Sequence, residues 1–221
     1  MNTLCISNHN NDISWVKDYP NPYVIYDRSD DQSFVNGLDH IKSPNVGYNI
    51  YDMFSFIIDN YDNLPDYTTF CKGNIFPRHI GREKFESLMN NKFFTPLFDF
   101  TLHKPYMPVC MFSSDGNFSE INNSWYMSDG KPRKYFNNYN DFLKFIYVDP
   151  VIPEYNTFAP GGNYVVPKNQ IVKYSINFYK NLRTFVAHAK FSAESFIIER
   201  ALCTIWTSNF GVADKMNKII D

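Results

Sequence analysis

Short apolar blocks and polar turns alternate along the first eighty residues. Residues 3–7 (TLCIS) form an apolar run that opens into Asn8, His9, Asn10, Asn11 and Asp12, which predicts a strand ending in an amide-rich turn. Asp12 stands where it can cap a short helix beginning Ile13-Ser14-Trp15-Val16. Residues 23–26 (YVIY) predict a second strand from their β-branched and aromatic content, ending in Asp27-Arg28-Ser29-Asp30-Asp31. Val46, Ile50, Met53, Phe54, Ile57, Ile58 and Tyr61 recur at helical spacing, with Asn49, Asp52 and Asp59 at the other positions. Turn residues at 60–65 stop that helix, and 68–71 (TTFC) predict a third strand. Strand, helix, strand, helix, strand argues for a parallel sheet with helices packed on it.

The later pattern is less regular. Residues 81–89 predict a short helix on Phe85 and Leu88. The stretch 91–129 mixes aromatics, prolines and turn residues, with short strands near 98–103 and 109–112 and an apolar island at Trp125-Tyr126-Met127. It suits a wall over a binding site, and equally a core of irregular elements. Residues 140–147 predict a helix and 150–160 a proline-punctuated loop. The double glycine Gly161-Gly162 precedes a β run at 164–167 and lets backbone approach a ligand, or simply makes a tight turn. Residues 171–187 are helix-compatible, with Tyr174, Phe178, Leu182 and Phe185 on one face. Ser192 caps a final helix with Glu194 in its first turn, a stripe of Phe191, Ile198, Leu202 and Ile205, and Trp206 at its close. No repeat or linker interrupts the chain, which predicts one domain over 1–221.

Composition narrows the function. Aromatics make up 18% of the 221 residues, so rings build the core. A net charge of −2 gives no basic footprint and argues against nucleic acid as a partner. Cys5, Cys71, Cys110 and Cys203 lie far apart without a CxxC pair, which disfavours zinc ribbons and disulfide frameworks and favours a reducing, cytosol-like compartment. The N-terminus has no signal-peptide pattern, and no run reaches the ~18 apolar residues of a membrane span. The sequon matches at Asn117 and Asn122 are then chance matches in an Asn-rich chain.

Several catalytic motifs are absent: Gly-x-Ser-x-Gly, a Walker loop and HExxH. None of His9, His40, His79, His103 and His188 pairs at metal-ligand spacing. What remains lies at strand ends: an amide turn (8–12), an acid turn (27–31) and a cationic turn holding Lys72, Gly73, Asn74, Arg78 and His79. That inventory suits a nucleoside diphosphate carrying a polyhydroxyl group. Arg and Lys can neutralise a diphosphate leaving group, and a carboxylate can take the proton of an attacking hydroxyl. Solvated strand exits explain the same residue types equally well. Asp115 and Glu194 are the candidate bases, with Glu199 behind them. Glu194 and Glu199 stand about 140° apart on a helix, so at most one faces a given cleft.

Taken in order, ISNHNNDISW, the DRS turn, NVG before the helix, NYDNLPDYTTFCKGN with PRH, GGNYVVP and the late Glu-Arg helix resemble a known family. It is the small glycosyltransferases of large DNA viruses, of the chlorovirus capsid-glycosylating type, with related uncharacterised microbial and fungal proteins. The resemblance runs from Leu4 to about Trp206 and is strongest over the first eighty residues. It implies an α/β, GT-A-like single domain whose mixed, mostly parallel central sheet has helices on both faces. The nucleotide-binding half would be about 1–80 and the acceptor half about 81–221. It also implies a nucleotide-sugar donor, a divalent metal such as Mn or Mg, a glycan or glycoprotein acceptor (a viral capsid glycan among them) and a host-cytoplasmic location. Carried across, Ser7, Asn8, His9, Asn10, Asp27, Arg28 and Ser29 would line the nucleotide. Gly161 and Gly162 would lie under the acceptor. Lys72-Gly73-Asn74 would occupy the place of an Asp-x-Asp metal motif, but no acid flanks Gly73. Either Lys72, Arg78 and His79 share the neutralisation, or Asn74 and His79 hold a weakly bound ion, the oxygen ligand Asn74 being the better one. Two other classes stay open: a non-catalytic nucleotide- or carbohydrate-binding module, and a metal-dependent hydrolase using Asp27, Asp30 and Asp31.

Overall fold

The computed structural model describes residues 1–35, 37–102, 110–112, 117–122 and 130–220. The strands are β1 (Asn2–Asn8), β2 (Tyr23–Asp27), β3 (Ile41–Lys42), β4 (Tyr67–Lys72), β5 (Thr95–Pro96), β6 (Cys110–Phe112), β7 (Phe118–Ile121), β8 (Tyr155–Phe158) and β9 (Tyr164–Pro167). The helices are α1 (Tyr48–Asp59), α2 (Arg82–Leu88), α3 (Tyr139–Ile146), α4 (Lys168–Ile171), α5 (Ile176–Val186) and α6 (Ala193–Thr207). The architecture is mixed α/β.

A six-stranded sheet runs in the order β3-β2-β1-β4-β9-β5, and β6-β7-β8 form a small antiparallel sheet. β1 is parallel to both β2 and β4, and β2 to β3, while β9 is antiparallel to β4 and β5. From β1 the chain steps outward through β2 to β3, then returns to the other side of β1 as β4. The order therefore reverses between β1 and β4, which is where open α/β sheets form a crevice beyond the strands' carboxyl ends.

Side-chain alternation divides the core. Cys5 and Phe70 face a cluster with α1, α5 and α6, and Phe70 stacks on Trp206 at 6.4 Å. Leu4, Ile6 and Cys71 face the other side, where Trp15, Val16, Ile75 and Phe85 cover the sheet. Helical segments thus lie on both faces. Ser192 caps α6 by accepting from Ser195 N at 3.3 Å. Asp12 accepts from Ser14 N at 2.8 Å, but the segment Ser14–Asp18 is a 3-10 turn with Ile13 at its N-cap position and no side-chain cap. Cys5 and Cys71 are buried free thiols.

Several local expectations change. The strand expected at 98–103 is not formed over 98–102; Phe100–Leu102 is a 3-10 turn, and the short β5 pairs with β9 instead. The expected loop 150–160 contains β8. The helix expected over 171–187 breaks before Ser175, which caps α5 by accepting from Phe178 N. Tyr174, at the break, donates to Ile205 O at 2.6 Å. Phe191 is not in the core stripe of α6; it is 43% exposed and packs beside Tyr48 at 4.7 Å. Among the described residues no helix is long and apolar enough to cross a membrane.

Candidate functional site

β1 and β4 stop together. Ser7 pairs with Lys72, and Gly73 N donates to Ser7 O at 2.8 Å. On the other side of β1, Asn8 pairs with Asp27, and Arg28 N donates to Asn8 O at 3.0 Å. The amide, acid and cationic turns therefore open on one rim. Gly73 makes this possible: a Cβ there would lie 2.3 Å from Asn8 Oδ1 and 2.9 Å from Ile13 Cγ2.

A buried carboxylate underlies the rim. Asp52, on α1, accepts from the hydroxyls of Ser7 and Ser43 and pairs with Arg28 Nε at 3.0 Å. Burial pushes its pKa up to about 6 against the pull of Arg28 and the two hydroxyls. Arg28 is itself only 4% exposed, and its terminal nitrogens make no bond among the described residues. The ion pair thus holds one edge of the guanidinium and leaves the other for a ligand.

Lys72 stands across β1 from Arg28. Its ammonium lies 5.7 Å from the centre of the Tyr48 ring, and among the described residues no carboxylate comes within ion-pair distance of it. Burial lowers its pKa; Arg78 and Arg28 lower it further, and Glu199 opposes them. His9 is likewise held down by burial, Arg28 and Lys190. In both, burial is the largest cause and the neighbouring cations add to it. Tyr48 opens α1 with φ at +53°, directly after Gly47 at +62°. A bulky residue in that region stores strain.

The glycine loop reaches the same rim from β9. Gly161 and Gly162 have φ of +86° and +63°. Asn163 Oδ1 accepts from Lys72 N at 3.1 Å, and Asn49 Nδ2 donates to Gly161 O at 2.8 Å. A Cβ on Gly161 would press within 3.0 Å of the buried His79 ring. Gly161 N donates to Glu199 Oε1 at 2.7 Å, while Glu199 Oε2 accepts from Arg200 Nη1 at 3.0 Å. Arg200 in turn grips Glu120 Oε2 at 2.7 and 3.0 Å.

A family model described as a protein of unknown function, DUF3431, matches residues 4–218. The chain belongs to the DUF3431 family. No curated protein and no solved structure matches it.

In this DUF3431 chain the expected site residues separate into three groups. Ser7, Asn8, Arg28, Lys72, Gly73, Gly161 and Glu199 converge on the rim, with His79 behind Gly161 and the exposed Arg78 within electrostatic reach of Lys72. Asp27 and Ser29 brace it from inside. Asp27 accepts from Asn8, Ser29 and Gln32 at 3.0, 2.7 and 2.9 Å and is fully buried, so it offers a ribose no free acceptor. Ser29 Oγ also takes Asn10 N at 2.7 Å.

Glu194 is the clear correction. Its Oε1 accepts from Lys134 N at 2.8 Å and Tyr135 N at 2.7 Å, and its Oε2 meets His188 Nε2 at 2.7 Å. Burial alone would raise its pKa; these donors outweigh that and hold it below the usual range. A fully buried, triply bonded carboxylate ties the chain before α3 to α6 and is no general base. Asp115 lies outside the described residues. Of the acids in the hydrolase reading, Asp27 is buried beneath the turn, while Asp30 and Asp31 are exposed.

Among the described residues no three His, Cys, Asp or Glu side chains converge to hold a metal ion. Asn74 and His79 offer one amide oxygen and one imidazole beside cations. That set does not fit a hard divalent ion, which wants several oxygen ligands, carboxylates first. Asn49 and Asp52, at the positions between the apolar residues of α1, are 6% and 0% exposed and point under the rim.

Proposed function

We propose that this DUF3431 protein is a glycosyltransferase on a GT-A-like scaffold, moving a sugar from a nucleoside-diphosphate sugar to a hydroxyl of a glycan or glycoprotein. One observation carries the reading. Arg28, whose terminal nitrogens make no bond among the described residues, and Lys72, with no carboxylate among them within ion-pair distance, flank β1 at the point where strand order reverses, beside the Glu199–Gly161 loop. The bond between anomeric carbon and diphosphate oxygen breaks, and a bond to the acceptor oxygen forms. The cations stabilise the charge that develops on the departing diphosphate. Of the candidate bases among the described residues, Glu199 is the one whose carboxylate reaches the rim, and it takes the acceptor proton.

Calorimetry against a panel of nucleotide sugars, followed by assays of donor hydrolysis, tests this. One donor is expected to give heat and turnover, with turnover lost and binding kept in Glu199→Gln. Absence of heat with every nucleotide and nucleotide sugar contradicts it. A second reading, a non-catalytic binding module, draws support from the two donors that already occupy Glu199. It requires binding without turnover; hydrolysis abolished by Glu199→Gln eliminates it.

A further inference from the structure

Among the described residues, the three buried or half-buried carboxylates beneath the rim are already engaged, and Asp30 and Asp31 are exposed on the acid turn. Asp27 accepts three side-chain donors, Asp52 takes two hydroxyls and Arg28, and Glu199 takes Gly161 N and Arg200. A divalent cation at the tip of β4 would find Lys72 and the Gly73 backbone there, with Arg28 across β1 and Arg78 beyond. It would meet like charge in place of the oxygen cage such ions need. The same arrangement is what an anion needs. Asp52 fixes Arg28 through Nε, and among the described residues its terminal nitrogens make no bond, in the fork geometry that suits two phosphate oxygens. Among the described residues Lys72 has no carboxylate within ion-pair distance, and it is partly desolvated, so an incoming dianion supplies a counter-charge. Burial and its cationic neighbours both depress the Lys72 ammonium, which a bound diphosphate would reverse.

We infer that the chain's own cations, Arg28, Lys72 and Arg78, neutralise the diphosphate of the nucleotide, and that nucleotide binding requires no divalent cation. This rests on the nucleotide-sugar reading above and names how its charge is met. The three side chains come from the ends of β2 and β4 and the loop after β4. They can therefore surround a diphosphate lying across the tip of β1, with Arg78, the exposed member, at the outer edge.

The experiment is isothermal titration of the full chain with nucleoside diphosphates, in EDTA and then in manganese or magnesium. The Kd is expected to agree within about twofold between the two conditions and to weaken steeply with added salt. Lys72→Met should weaken binding roughly tenfold, the worth of one charge-assisted hydrogen bond, and the surface change Arg78→Ala should act in the same direction with the fold intact. Arg28→Lys serves as a further variant, because it keeps the charge over Asp52 but removes the fork. Binding that appears only with the metal, or that Lys72→Met and Arg78→Ala leave unchanged, overturns the inference while leaving a nucleotide site. No heat under either condition removes the nucleotide-sugar reading itself and this inference with it.

Discussion

The two ends of the central sheet use charge differently. At the carboxyl end, Arg28 and Asp52 form a 3.0 Å ion pair with 4% and 0% of their side chains exposed, and the polar groups around them are interlocked. At the amino end, the Met1 amino group meets Asp66 at 2.6 Å, but the two are 75% and 73% exposed. An open cleft there is lined by Met1, Asp66, Lys92, Phe93 and Lys168. Water screens the second pair and leaves it worth little. The first pair has lost its water, so each partner depends on the other. The comparison teaches that a cavity and a few charges do not mark a site. Parallel strands deliver their exits to one end, and of the two ends it is there that charges are both desolvated and, among the described residues, incompletely paired.

Removing Asp52 should break the contrast most sharply. Asp52→Ala leaves Arg28 buried without its counter-charge and should cost about 3–5 kcal/mol in urea unfolding. A loss as small as that of a surface pair would show that the two ends are alike after all.

Glu194→Gln comes next, at about 1–3 kcal/mol, because donors that now meet a carboxylate are left poorly satisfied. The pH dependence gives this variant a signature. The Glu194 pKa lies below its ordinary 4.5, so near that pH the unfolded chain binds more protons than the folded one. Its contribution is complete above that range and lost as pH falls through it, and Glu194→Gln should flatten this acid limb. Asp52 has the opposite sign. Its pKa is raised to about 6, so the folded state holds the proton more tightly and its contribution grows as pH falls from about 6 toward 4. A wild-type acid limb that survives Glu194→Gln unchanged would remove Glu194 from the account.

The smallest effect belongs to the amino end. Asp66→Asn should leave the melting temperature and nucleotide affinity unchanged within error. A clear drop in either would show that the exposed end matters in its own right.

Much of the carboxyl end is legible in the sequence. The blocks 3–7, 23–26 and 68–71 lie inside β1, β2 and β4, and the turns that follow them are the rim. β3 is not legible, because two residues carry no period. The helical spacing of Tyr174 and Phe178 hides the break between α4 and α5, since periodicity does not reveal that Ser175 satisfies a new helix start. Asn49 and Asp52 look solvent-facing because their polarity marks the outside of an amphipathic helix. The N-terminal turn of α1 instead passes beneath a polar rim. The angular argument for Glu194 and Glu199 holds, since one is locked among backbone amides and the other touches Gly161. Which of them reaches the rim depends on the distant segment 134–135, and no local pattern encodes that.

The most direct measurement is a crystal structure of the full chain with a bound nucleoside diphosphate. The account predicts the diphosphate across the tip of β1, within hydrogen-bond reach of Arg28 and Lys72 and next to Gly161. A ligand seated instead in the cleft between Lys92 and Lys168 would contradict it.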